Sequence, residues 1–133
     1  MNTFAFIIGS ICYLLIGVGH TALYLTHRGR AGKGRAISLL KNTHVTILGD
    51  RTTLFSLYEG YSLMMGGLLV AFGVLNLMVI YIFSGGLSEL RPIIVFDVVV
   101  AAASVLMFRK YAFFLPVALS GLATLGYLLA LFN

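Results

Sequence analysis

The chain has few charged residues. Only 10% of its 133 residues are charged and 60% are apolar. It has 4 acidic residues. A soluble domain carries about 25% charged residues, so a soluble fold is excluded and lipid is the solvent that this composition suits. The net charge of +5 would favour nucleic acid in a polar protein, but here it favours anionic lipid headgroups.

Cysteine is scarce as well. Cys12 is the single cysteine, which excludes an intrachain disulfide and a cysteine metal cluster. A metal needs at least three convergent ligands, and His20, Glu59 and a distant Asp97 do not supply them. We therefore expect neither a metal nor another cofactor. The first apolar run lacks a preceding basic segment and is too long for a signal peptide, so we expect it to be a retained span.

Apolar runs long enough to span a bilayer occupy most of the chain. A membrane-spanning helix needs about 20 apolar residues. The sequence predicts a single domain over residues 1–133, an all-α four-helix transmembrane bundle, with spans at about 3–25, 53–83, 92–108 and 111–132. Pro92 suits the first turn of the third span.

Basic residues lie between the spans. The first loop carries most of them, Arg109 and Lys110 lie in the third, and the second has little positive charge. The positive-inside rule predicts a multi-pass protein of the bacterial inner (cytoplasmic) membrane, with loops 1 and 3 in the cytoplasm and both termini outside. Within the first loop, apolar residues from Ile37 to Leu48 recur at helical spacing, which predicts a short interfacial helix ending at Gly49. The basic part of this loop should bind anionic headgroups.

Each predicted span carries its polar and small residues on one face. Because lipid disfavours polar surface and small residues let helices approach closely, these faces should meet inside the bundle. The four sets, obtained at about 100° per residue, are Tyr13, Gly17, His20 and Tyr24; Glu59, Ser62, Gly66 and Gly73; Asp97, Ala101 and Ser104; and Ser120, Thr124 and Tyr127.

The depths of the ionisable residues predict two polar layers. At about 1.5 Å per residue, His20 and Glu59 lie roughly 8–9 Å inside the cytoplasmic ends of their spans, and therefore at one level. A charged carboxylate at that depth costs on the order of 2.5 kcal/mol or more, so Glu59 needs a proton, a partner or water, and His20 is the expected partner. Asp97 is expected nearer the opposite side, at the level of Asn76 and Tyr127.

A histidine and a glutamate beside aromatic residues indicate proton transfer. We predict that His20, Glu59 and Asp97 are catalytic. The alternatives are that His20 and Glu59 only join two helices, and that Asp97 is a structural partner of Asn76 or Tyr127. The predicted substrate-binding residues are Tyr13, Tyr24, Arg51, Tyr58, Tyr61, Ser62, Asn76 and Tyr127, although aromatic residues near an interface are also typical membrane anchors.

Two short motifs carry a family resemblance. Gly19-His20-Thr21 lies late in the first span, and Tyr58-Glu59-Gly60-Tyr61 opens the second. These residues resemble a family of short, uncharacterised bacterial four-span membrane proteins, and in size and hydropathy the chain is also similar to the DoxX-like group. The resemblance implies the four-span fold and draws attention to His20, Arg51 and Glu59, but it implies no particular chemistry.

Three functions fit this pattern. The first is a small intramembrane enzyme that acts on a lipophilic substrate by acid–base chemistry in a polar pocket, as an isomerase, cyclase or epoxide-opening enzyme does. The second is a proton-coupled transporter in which Glu59 exchanges a proton for a cationic substrate, and the third is a non-catalytic accessory subunit of a membrane complex. Because intramembrane ionisable residues are functional by default, the enzyme is favoured. The expected partners are membrane lipids and a lipophilic small molecule, and nucleic acid is not expected. The sequence is also compatible with a homo-oligomer.

Overall fold

The described part of the chain contains four long helices, two short helices and one β-hairpin. The computed structural model describes residues 2–28, 35–83, 87–111 and 114–132. A short 3-10 helix, Leu87–Leu90, precedes the third long helix. In chain order the remaining elements are α1 (Thr3–Arg28), α2 (Arg35–Asn42), β1 (His44–Ile47), β2 (Asp50–Thr53), α3 (Leu54–Ile82), α4 (Arg91–Tyr111) and α5 (Phe114–Phe132).

Helices α1, α3, α4 and α5 are long and apolar enough to cross a membrane, which confirms the four predicted helices. Each buries only between 17% and 39% of its most apolar stretch within the protein. Most of their apolar surface therefore faces outward, as expected where the surrounding solvent is lipid. The fold is compatible with a multi-pass membrane protein.

The predicted interfacial helix is correct only in its first part. Helix α2 ends at Asn42, and β1 and β2 then pair as an antiparallel hairpin. The strands are rich in valine, isoleucine and threonine, whose branched side chains favour extended backbone. Leu48 and Gly49 have positive φ values of 51° and 95°, as a two-residue hairpin turn requires. The helix predicted through Leu48 is wrong because apolar spacing alone did not account for the strand preference of the threonines.

The hairpin joins α3 without a linker. Strand β2 ends at Thr53 and α3 begins at the next residue, Leu54. The amide of Leu54 donates to the carbonyl of Thr43 over 3.0 Å. The Oγ1 atom of Thr53 accepts a hydrogen bond from the amide of Ser56 over 3.1 Å, so Thr53 caps the helix.

The chain divides into two compact units. The bundle unit contains the described residues of 1–16 and 69–133, and the hairpin unit contains residues 17–68. Helices α1 and α3 contribute residues to both units. The single domain over residues 1–133 stays a prediction.

Aromatic rings and glycines set the packing of the bundle unit. The rings of Phe6 and Tyr127 meet edge to face with centroids 5.2 Å apart, and those of Tyr13 and Phe72 do so at 4.8 Å. A Cβ added at Gly126 would lie 2.7 Å from a backbone oxygen of α1. Small residues thus let these helices approach to backbone contact.

In the hairpin unit, the end of α1 packs antiparallel against the beginning of α3. Gly66 is buried at this contact, and a Cβ there would overlap Oγ1 of Thr21. The prediction that Gly66 lies on the inner face of its helix is confirmed. Leu68, two residues further along, is 58% exposed and faces outward.

Candidate functional site

Most of the predicted site residues lie in two groups, one in each unit. The His20 group belongs to the hairpin unit and comprises His20, Tyr24, Glu59 and Ser62. The Asp97 group belongs to the bundle unit and comprises Tyr13, Asn76, Asp97, Ser104 and Tyr127.

Two hydrogen bonds join α1 to α3 in the His20 group. The Nε2 atom of His20 lies 3.0 Å from Oγ of Ser62, and Oη of Tyr24 donates to Oε1 of Glu59 over 2.7 Å. His20 and Tyr24 are four residues apart on α1, and Glu59 and Ser62 are three apart on α3. Residues at these spacings lie on one helix face, so the two bonds form successive rungs about 5–6 Å apart along the helices.

The hydrogen bonds of the described residues join His20 to Ser62 and Glu59 to Tyr24, and not His20 to Glu59. The antiparallel packing places His20 level with Ser62 and Glu59 level with Tyr24, and the described part of the chain contains no hydrogen bond between His20 and Glu59. The predicted depths were measured from the predicted end of the first span at residue 25, whereas α1 continues to Arg28. Each residue of error in a helix end shifts a predicted level by about 1.5 Å.

The members of the His20 group differ in exposure. His20 is exposed, whereas Tyr24, Glu59 and Ser62 are half-buried between the helices. The prediction that the polar face of α1 points inward therefore fails at His20. The imidazole lies at the edge of the α1–α3 contact, where it is accessible from outside the protein.

An exposed aromatic face borders this edge. Tyr58 and Met65 lie four residues before and three residues after Ser62, so they share its side of α3. They are 59% and 44% exposed, and the neighbouring Tyr61 is 64% exposed. The hydrogen-bond partner of His20 thus lies on the same helical face as side chains that suit an apolar ligand.

The Asp97 group connects helices in the core of the bundle unit. Tyr13 donates to Oγ of Ser104 over 3.1 Å, and this hydroxyl donates to a carbonyl one turn earlier on α4. The Nδ2 atom of Asn76 donates to Oη of Tyr127 over 3.1 Å. Polar residues of all four long helices therefore face inward here, and the predicted common level of Asn76 and Tyr127 is confirmed.

Asp97 itself is enclosed in this core. Its side chain is 1% exposed, and Tyr13 and Tyr127 are fully buried. The amide of Asn76 interacts with the Asp97 carboxyl, but neither carboxyl oxygen has a partner with hydrogen-bond geometry. Since a catalytic group must touch its substrate, this buried position suits the structural alternative for Asp97 better than the catalytic one.

Three predicted residues lie outside both groups. Arg51 is exposed on β2, opposite Thr46 in the hairpin register, and Tyr58 and Tyr61 are exposed on α3. Two hydrogen-bond partners were not predicted from the sequence. Tyr24 is the hydrogen-bond partner of Glu59, and Ser104 is that of Tyr13. The four-residue spacing of His20 and Tyr24 could have indicated the first partner.

Imidazole, carboxyl and hydroxyl groups make up the chemistry of the His20 group. Across the described residues, no three His, Cys, Asp or Glu side chains are placed to hold a metal ion. Comparison with protein-family models, curated protein sequences and solved structures finds no match. The family resemblance noted in the sequence therefore stays a prediction.

Proposed function

We propose that the protein is a small intramembrane enzyme that acts on a lipophilic substrate by acid–base chemistry at the His20 group. The observation that carries this proposal is the pair of polar rungs on successive helical turns, with His20 exposed at their edge. Isomerisation, cyclisation and epoxide opening are the reaction classes that this chemistry suits, because each needs a proton removed at one atom and supplied at another.

The two rungs supply two different proton-exchanging groups. The exposed imidazole of His20 can accept or donate a proton at the substrate, and Ser62 holds its Nε2 side. The hydroxyl of Tyr24 donates its proton to the Glu59 carboxyl, so its oxygen can accept a proton from the substrate while its own proton passes to Glu59. A separation of about one helical turn lets the two groups serve neighbouring atoms of one substrate.

The surroundings support a substrate that arrives from the bilayer. Tyr58, Tyr61 and Met65 offer aromatic and thioether surface beside His20, and such side chains pack well against apolar ligands. On this proposal, the basic residues of the first loop, Arg51 included, bind anionic lipid headgroups on the cytoplasmic side of a bacterial inner membrane. The substrate and these lipids are the proposed partners.

Solvent deuterium incorporation tests the proposal for any lipid substrate that exchanges a proton at carbon. Purified protein is incubated with a bacterial lipid extract in D₂O, and mass spectrometry detects lipids that gain deuterium at carbon. We expect labelling with the wild type and its loss with His20→Gln and with Glu59→Gln. The control Glu89→Gln, which changes an exposed acid outside the group, should retain it. Labelling that survives both group variants, or none with the wild type, would refute the proposal.

An accessory-subunit function is supported by a different observation. Gly60 and Gly67 lie two turns apart on the outer side of α3, and a Cβ at either would meet no atom within 4 Å. Open small residues let a helix of another protein approach closely. If this function is correct, Gly60→Leu and Gly67→Leu should reduce co-purification with a membrane partner, while Glu59→Gln should not.

A further inference from the structure

A buried carboxyl lies in the core of the bundle unit. Asp97 is 1% exposed, and neither of its oxygens has a hydrogen-bond partner. The buried polar or charged side chains of the described chain are Ser10, Asn76, Asp97 and Ser120. None of them is basic, so no buried cation accompanies the Asp97 carboxyl.

The groups that face Asp97 are neutral. Tyr13 from α1, Asn76 from α3 and Tyr127 from α5 interact with it. Tyr127 already accepts a hydrogen bond from Asn76, and Tyr13 donates its hydroxyl to Ser104. Of these side chains, Asn76 is the one whose amide acts as a donor towards the Asp97 carboxyl, and a single neutral donor does not balance a negative charge. The cationic side chains on α4, such as Arg91 and Arg109, are exposed at its ends.

Burial affects the two forms of a carboxyl differently. A neutral carboxyl loses only its hydrogen bonds to water, whereas a carboxylate also loses the hydration of its charge. No buried cation of the described residues replaces that hydration, and the Asn76 amide is a single neutral donor. Asp97 also lies six residues inside α4, at roughly 9 Å depth, where a membrane-spanning helix has little access to water.

We propose that Asp97 is a proton-binding site within the bundle unit, and that its carboxyl holds a proton at neutral pH. The ligand of this site is the proton, and its release requires water to reach the core around Asn76 and Tyr127. This inference concerns a different unit from the His20 group and does not depend on the proposed enzyme activity.

Infrared spectroscopy of the purified protein in a detergent that contains no carbonyl group tests the site directly, because among the side chains only a protonated carboxyl then gives the high-frequency C=O stretching band. The acidic side chains number 4, which makes assignment by substitution feasible. We expect the band at neutral pH in the wild type and in Glu59→Gln and Glu89→Gln, and we expect its loss in Asp97→Asn. Absence of the band from the wild type, or its persistence in Asp97→Asn, would overturn the proposal.

A second variant covers failure of Asp97→Asn to fold. Asp97→Glu keeps a carboxyl but moves it by one methylene group, so the band should shift in frequency while remaining present. A band that is unchanged in Asp97→Glu belongs to another residue and would equally overturn the proposal. Thermal stability provides a further check, since asparagine matches the neutral acid in shape. Asp97→Asn should melt within a few degrees of the wild type, and a large loss would indicate that a charge is required.

Discussion

Neighbouring glycines in α3 allow a matched test of the helix packing beneath the His20 group. At Gly66 a Cβ would overlap Oγ1 of Thr21, whereas at Gly67 it would meet nothing within 4 Å. Thr21 can move away only by giving up its 3.0 Å hydrogen bond to the carbonyl of Gly17, at a cost of about 0.5–1.5 kcal/mol. If the helices separate instead, overpacking costs about 1–3 kcal/mol.

Both Gly66→Ala and Gly67→Ala gain the same helix propensity, so the difference between them isolates the contact. We expect Gly66→Ala to be less stable than Gly67→Ala by about 1–3 kcal/mol, measured by denaturant unfolding in detergent micelles. Removing the obstructing hydroxyl in the double variant Thr21→Ala with Gly66→Ala should recover part of the loss. Gly66→Leu should be far more damaging than Leu68→Ala on the exposed side. Equal stabilities of the two alanine variants would show that α1 and α3 do not meet at Gly66. The geometry described for the His20 group would then also be wrong.

Two further outcomes follow from the bonding in the bundle unit and from the loop charges. Tyr13→Phe removes the hydrogen bond to Ser104 and should cost about 0.5–1.5 kcal/mol in denaturant unfolding, whereas Tyr58→Phe on the exposed face should cost nothing measurable; a reversed order would contradict the assignment of Tyr13 to the core. For the topology, cysteines introduced at the exposed Ser38 and Lys110 should be protected from an impermeant thiol reagent in intact cells, while one at Glu89 should react. The native Cys12 is buried and should give little background, and the opposite labelling pattern would invert the proposed orientation.

The spans were predictable because the mean hydropathy of a long segment depends on its composition and not on the position of each residue within it. The inward faces of the bundle unit were predictable for a related reason, since lipid penalises polar side chains such as Asn76 and Asp97 wherever they face it. Helical periodicity fixes the face of each residue, but it does not fix the axial offset between two helices. That offset paired Glu59 with Tyr24 rather than with His20, and it depends on contacts such as Gly66 against Thr21.

The hairpin illustrates a second limit of sequence analysis. Its residues have apolar spacing that fits a helix from Ile37 to Leu48, and only the strand preference of the threonines and the turn at Leu48 and Gly49 opposed that prediction. When a segment prefers helix and strand almost equally, contacts with neighbouring structure determine which one forms. Here the amide of Leu54 donates a hydrogen bond to Thr43 and closes the base of the hairpin.

The absence of a linker between the hairpin and α3 has a mechanical consequence. The strand continues into the helix at adjacent residues, with hydrogen bonds at Thr53 and Leu54, so no loop lies between them to absorb a displacement. A force that lifts or tilts the hairpin must therefore also rotate the first turns of α3. Glu59 lies five residues into α3, about 7–8 Å from its first residue, and among the described residues its 2.7 Å bond to Tyr24 is the side-chain hydrogen bond to α1 nearest the hairpin, so such a rotation would strain it.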